Sequence, residues 1–311
     1  MFLLRAYLIR VFGDMPAMAK LMRMKGPNGL HPCRECNIEG IRDVAGGGKT
    51  YYVPIHRPGG HLYDLWHLPR RTHDEFVEQA IAVDAAATDA EAERLAKASG
   101  INIILLMNGL PVLATLSSLS FPASFGHNLM HLISENLIKN LLDFWTGSFK
   151  GLGQGKEEYE LSVANCEAIG RECELAGNTM PAAFGARVPN LHTQRHYFTA
   201  ESYTLWTTLL APVLLHERFQ RPKYYNHFLD LVSILNDCLA LSLDCEYINT
   251  TLRRKIIDWV AKYERCVLQS NFFFDVLTLT LISAITTNTS RHASQPVLSP
   301  CMRSFTSPTI S

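Results

Sequence analysis

The chain has 311 residues, 47% hydrophobic and 19% charged, enough to bury a core of one or two domains and too apolar for a disordered tail. Lysine plus arginine and aspartate plus glutamate stand at 29 each, so no global positive field draws the chain to nucleic acid, and any polyanion contact must come from local clusters. Eight irregularly spaced cysteines exclude a disulfide scaffold and fit a reducing compartment.

The apolar run over residues 2–12 is broken by Arg5 and Arg10 and followed by Asp14 and Pro16, which excludes a signal peptide. Its mixture of β-branched, aromatic and leucine residues, ending at Gly13, predicts a buried strand with Asp14 at its carboxyl end. Residues 26–73 are rich in Gly, Pro, Cys and His and show little periodicity, the profile of a loop insertion that needs a staple. Cys33-x2-Cys36 has zinc-knuckle spacing, and histidines follow at 56, 61, 67 and 73. His56 is the favoured third zinc ligand, and His61 or His73 the fourth; the bland alternative is a pair of reduced structural cysteines in a His-rich loop. "AGGGKTYY" is no phosphate loop, because Asp43 stands where that motif needs its first glycine.

Residues 72–99 read as an amphipathic helical region with Phe76, Ala80, Ile81 and Val83 on one stripe, and "TDAEAERLAKAS" opens on a Thr/Asp cap and stops at Gly100. Residues 101–121 are apolar and fit either a strand pair or a loop. A strong helix is predicted from Leu129 to Phe144, with Leu129, Leu132, Ile133, Leu137, Leu141 and Phe144 apolar. Glycines 147, 151, 153 and 155 mark a linker, beyond which 157–176, 199–219, 223–245 and 248–265 read as helices. No stretch reaches the ~18 uncharged apolar residues of a membrane span, although 266–287 comes near.

Four basic clusters stand out: Lys20 to Lys25, Arg70-Arg71, Arg221-Pro-Lys223 and Arg253-Arg254-Lys255. Each reads either as a polyanion contact or as a solvated face. In "HNLMHLISEN", His127, His131 and Glu135 are spaced i, i+4, i+8, on one face of a helix. They fit a hydrolytic metal site, a lone functional Glu135, or three satisfied packing partners. The metalloprotease pattern sets its general base between the histidines, where this chain has Asn128, Leu129 and Met130.

Taken in order, "LLRAYLIRVFGDMPAMAKLM", "HPCRECNIEGIR", "KTYYVPIHRP", "LPRRTHDEF" and "SFGHNLMHLISENLIKNLLDFWTGSFKGL" resemble the core of the CACTA (En/Spm-type) DNA transposases, in the form found in basidiomycete fungi. The resemblance covers almost all of residues 2–265. It implies a ribonuclease-H-like cut-and-paste enzyme with a three-carboxylate (DDE) site holding two Mg²⁺ ions, acting on DNA at transposon ends in the nucleus. The family's second acid lies in a D-[FM]-P-A motif, matched by Asp14 to Ala17, and its last acid in M-H-x-x-x-E-N, matched by Met130 to Asn136, so Asp14 and Glu135 are the implied Mg²⁺ ligands. Its Cys-x2-Cys motif is matched by Cys33 and Cys36.

Three departures from the family pattern shape the expectation. The family's first acid lies on a strand upstream of the matched region, so residues 1–311 are expected to be an N-terminally truncated and inactive form; Asn128 stands where the family commonly has an aspartate. After "WVAKYERC" the family's tyrosine-rich continuation is replaced by an uncharged, cap-free stretch, and 267–311 is expected to be a read-through or out-of-frame tail.

The expected fold class is therefore α/β followed by all-α. Residues 1–150 would form a partial ribonuclease-H-like domain carrying the Cys/His insertion at 26–73, and 151–266 a helical domain. The expected function is that of a transposase-derived protein that binds DNA or pairs with an intact transposase and has no membrane partner; the alternative is a non-catalytic, zinc-stapled DNA- or protein-binding module.

Overall fold

Short polar side chains start most of the helices. Asp14, Thr72, Thr88, Ser162, Thr199 and Asp244 each accept a hydrogen bond from a backbone N–H of the turn that follows, satisfying one of the donors a helix start leaves open. In the computed structural model, which describes residues 7–26, 29–42, 51–55, 62–102, 116–149 and 157–267, these caps open α1 (Met15–Leu21), α2 (His73–Asp84), α3 (Asp89–Ser99), α5 (Val163–Ala176), α6 (Ala200–Leu205) and α9 (Cys245–Tyr247). At Thr72 the box is complete, since Glu75 reaches back to the Thr72 amide. Residues 2–6, His56, His61, glycines 151–155 and the tail beyond 267 lie outside the described residues.

The remaining helices are α4 (Lys139–Trp145), α7 (Ala211–Leu214), α8 (Pro222–Leu239) and α10 (Arg253–Val267). Three of them continue out of π-helical segments, Met130–Ile138 into α4, Trp206–Leu210 into α7 and Ile248–Leu252 into α10. For the second there is a local cause: Pro212 has no N–H to give to the carbonyl four residues back, and its ring crowds that carbonyl, so the wider turn relieves the clash.

Among the described residues the protein is mostly helical, with almost no strand. The one sheet is a two-residue antiparallel ladder of β1 (Ile41–Arg42) and β2 (Tyr51–Tyr52), with Ile41 opposite Tyr52. The strand expected over 2–12 is reduced, in its described part, to a single parallel bridge between Val11 and Phe125, while residues 7–10 form no regular element. Val11 N–H donates to the Ser124 carbonyl at 2.9 Å and the Ser118 hydroxyl to the Leu8 carbonyl at 2.7 Å, so 8–11 runs beside 118–125.

Burial divides into two clusters. The smaller joins Met18, Met22 and Met24 to Phe76, Ala80, Ile101, Leu119, Phe121 and Phe125. In the larger, Leu132, Ile133, Leu137, Leu141 and Phe144 share one buried cluster with Cys33 and Cys36 and with Trp206, Phe228 and Trp259. The helix that carries Glu135 thus belongs to the same core as the cysteine loop and the C-terminal helices. No helix among the described residues is long and apolar enough to cross a membrane.

Candidate functional site

Asp14 is exposed, and its Oδ1 accepts the Ala17 amide at 2.6 Å as the N-cap of α1, with Pro16 in the first turn. The D-M-P-A stretch is therefore a helix start on physical grounds as well. One carboxylate oxygen is engaged, and the other has no hydrogen-bond partner among the described residues.

Glu135 is half exposed, at 41% for its side chain, and its Oε2 lies 2.5 Å from His131 Nδ1. Asn136 Nδ2 donates to the His131 carbonyl, which holds this turn of the π-helix. His127 does not share the face of His131 and Glu135 that a regular helix over the whole segment would give. The Asn128 side chain accepts from the Met130 amide at 3.0 Å and starts the helix there, leaving His127 in the preceding turn. His127 is half-buried with both ring nitrogens shielded from solvent and without a partner among the described residues, and desolvation, aided by the neighbouring Arg34 charge, holds its pKa well below the usual histidine value.

Glu135 lines a cleft of about 630 Å³. One wall is the Glu135 helix, with Asn136, Lys139 and Asp143; the other is Arg195, His196, Phe198 and Tyr203. The walls are joined by Arg195, which donates to Asp143 Oδ1 at 2.6 Å and to the Lys139 carbonyl at 2.9 Å, and by the Ser134 and Thr204 hydroxyls at 2.8 Å. Sequence reasoning missed the second wall, whose only signal was a basic residue followed by aromatics in "RHYF".

Cys33 and Cys36 are each 1% exposed. Their loop is pinned to the following chain by Asn37 N–H to the Pro69 carbonyl (2.7 Å), Arg71 N–H to the Glu35 carbonyl (2.9 Å) and Arg71 Nε to the Cys33 carbonyl (3.1 Å). A hydrogen bond from the Cys36 side chain, with lesser help from backbone amides and the Arg71 charge, outweighs burial and lowers the Cys33 pKa to about 6. Two adjacent thiols, one of them disposed to ionise, suit half of a zinc site. His73 is not brought to them: its Nδ1 accepts the Phe121 amide at 3.0 Å, and among the described residues no three His, Cys, Asp or Glu side chains converge.

The basic clusters are largely spent inside the molecule. Arg23 is buried and forks onto Asp84 at 2.8 and 2.5 Å, Arg71 is buried beside Cys33, Arg221 and Lys223 share Glu158 at 3.3 and 3.5 Å, and Lys255 pairs with Asp237 at 2.7 Å.

No family model matches the chain, and no curated protein or solved structure matches it.

Proposed function

We propose that this chain is a transposase-derived protein of the CACTA type, in which Asp14 and Glu135 are two of the three carboxylates of a Mg²⁺-dependent site for DNA strand cleavage and transfer on a ribonuclease-H-like frame. Besides the ordered motifs, one observation carries the reading. The bridge between Val11 and Phe125 is parallel, so the chain leaves both positions in the same direction, toward Asp14 on one path and toward the Glu135 helix on the other. Two Mg²⁺ ions, when bound, would stabilise the attacking and leaving oxygens of an in-line phosphodiester displacement. Within the protein, the Ala17 amide orients the Asp14 carboxylate, and His131 fixes the rotamer of Glu135. By the resemblance, the remaining carboxylate of the site is the family's first acid, on a strand upstream of the matched stretch. By the same resemblance the partner is DNA at transposon ends and the compartment the nucleus.

The test is a titration with Mn²⁺, a paramagnetic stand-in for Mg²⁺, followed by electron paramagnetic resonance. Asp14→Asn and Glu135→Gln should each weaken Mn²⁺ binding by more than the roughly 10- to 100-fold that loss of an outer partner causes. Titrations of both variants that superimpose on the parent would sink the reading.

A second reading, a zinc-stapled binding module without catalysis, is favoured by the buried Cys33–Cys36 pair and its readily ionised thiol. It expects zinc near one equivalent after dialysis, lost together with folding in Cys36→Ser. A metal-free protein that folds normally would remove it.

A further inference from the structure

A pocket of about 340 Å³, sharing no lining residue with the Glu135 cleft, lies where residues 65–70 meet the start of α10. Leu65, Trp66, His67, Leu68, Arg70 and Arg253 line it. The backbone there is well held. Asp64 Oδ1 accepts the Trp66 amide at 2.9 Å, and the Asp64 carbonyl accepts the His67 amide at 3.0 Å. Farther along, the Pro69 carbonyl accepts from Asn37, and Arg70 bridges Cys36. Leu65 is buried in the larger core and Leu68 packs against it, which anchors the apolar part of the lining.

Two guanidinium groups meet at this pocket. Arg253 lies over the Trp66 ring at 5.1 Å and donates from Nη2 to the Trp66 carbonyl. It makes no ion pair among the described residues, and its Nε is shielded from solvent without a partner. Burial lowers the Arg253 pKa, the Arg70 charge acts in the same sense, and Asp64 opposes them. Asp64 is not a dedicated counter-ion, because one of its oxygens serves the Trp66 amide and the other lies 2.7 Å from His67 Nδ1. That second contact also orients the ring, since an imidazole held at Nδ1 turns Nε2 the other way.

Like charges kept side by side in partly desolvated surroundings cost folding free energy, and an anion placed between them recovers it. Guanidinium forks match the oxygens of a phosphate. A bare phosphate would fill little of the pocket, whose size is at the lower end of the ~300–1,000 Å³ of small-ligand sites, and Leu65 and Leu68 supply lining for an organic group. Two arginines and a histidine suit a monoester carrying about two negative charges better than a backbone diester carrying one.

We propose that this pocket binds a small organic phosphate monoester, with the phosphate against Arg70 and Arg253, His67 Nε2 as a further donor, and the organic part against Leu65 and Leu68. Such a site is independent of the transposase reading, because none of its residues belongs to the Asp14, Glu135 or cysteine sets.

Isothermal titration calorimetry of the whole chain with phenyl phosphate, in buffer free of phosphate and Mg²⁺, tests it. Saturable binding with a Kd below about 1 mM is expected, tighter than for inorganic phosphate or for thymidylyl-thymidine, whose single phosphate is a diester. Arg70→Gln should weaken it about 10- to 100-fold, and His67→Gln by less. Arg70→Lys, which keeps the charge without the fork, should recover part of the loss. Arg70 and His67 are exposed, so these variants keep the fold, and circular dichroism verifies this. Absence of saturation, an affinity unchanged in Arg70→Gln, or inorganic phosphate or thymidylyl-thymidine bound as tightly as phenyl phosphate would overturn the proposal. Each of these outcomes leaves the Mn²⁺ titration at Asp14 and Glu135 standing.

Discussion

Arg34 donates from Nη2 to the Gly126 carbonyl at 2.8 Å, tying the residue between the two cysteines to the turn that leads into the Glu135 helix. Arg34 is only 7% exposed, so this charge-assisted bond forms away from water and couples the order of the cysteine loop to the entry of the helix. Arg34→Met keeps most of the volume and removes the donor. We expect a loss of about 1.5–3 kcal/mol in urea unfolding and faster amide exchange over residues 127–131 than over α8. A loss below about 0.5 kcal/mol, with unchanged exchange, would show that the Gly126 carbonyl finds another donor.

Cys33 provides a pH signature in metal-free protein. Its folded pKa is lowered from an ordinary 9.0 to about 6, chiefly by the Cys36 hydrogen bond. The unfolded thiol therefore binds its proton over a range where the folded one has lost it. Stability gained from this group is complete above about pH 9 and disappears as the pH falls through about 6. The thiolate ultraviolet absorbance of the native protein should rise near pH 6, and Cys33→Ser should lack both that rise and the matching slope in stability. Native absorbance that first rises near pH 9 would contradict the hydrogen-bonded pair.

Much of the helical architecture was legible because local chemistry and packing agree. Phe76, Ala80 and Val83 recur at i, i+4 and i+7 and are buried, whereas Ile81, one residue round the helix from Ala80, falls off that stripe and is 50% exposed. The apolar series from Leu132 to Phe144 likewise matches what the larger core buries. Asp14 and Glu135 could be named from motifs, but not the cleft around Glu135. Arg195 is remote in sequence from Asp143, and only tertiary packing, through their ion pair and the Ser134–Thr204 contact, brings the walls together. His127 was misplaced because i, i+4, i+8 spacing is meaningful only inside a helix, and Asn128 starts the helix after it.

Gly170 lies within α5, where alanine would ordinarily be the better helix former by about 1 kcal/mol. Here a Cβ would run into the Asn190 side chain and come within 3.0 Å of His192 Cβ. Asn190 cannot retreat freely, because its Oδ1 accepts the His192 and Thr193 amides at 3.0 and 3.2 Å and so organises the turn that precedes the Arg195 wall. Gly170→Ala should therefore destabilise, by roughly 1–3 kcal/mol. A variant more stable than the parent in thermal unfolding would show that helix propensity wins.

His227 makes the last prediction, because its environment fixes both sign and size. The imidazole is buried and stacks on Trp259 at 4.7 Å with the planes 7° apart, while Nε2 lies 3.0 Å from the Trp259 carbonyl and the Trp259 indole donates to the His227 carbonyl at 3.0 Å. Burial lowers its pKa from 6.5 to about 4, and the Trp259 carbonyl and Asp230 offset this only in part, with Lys262 acting alongside burial. The folded state thus refuses a proton that the unfolded chain takes up below pH 6.5. Stability from this group is full above 6.5 and falls as the pH is lowered toward 4, by about 3 kcal/mol over that interval. His227→Gln can keep the hydrogen bond to Trp259 and has no charge to titrate. The difference in unfolding free energy between parent and variant, followed from pH 7 to pH 4, should therefore shift by that amount against the parent. A difference that stays flat would mean that His227 takes its proton in the native state, which a buried ring of α8 stacked on Trp259 has no solvent to accommodate.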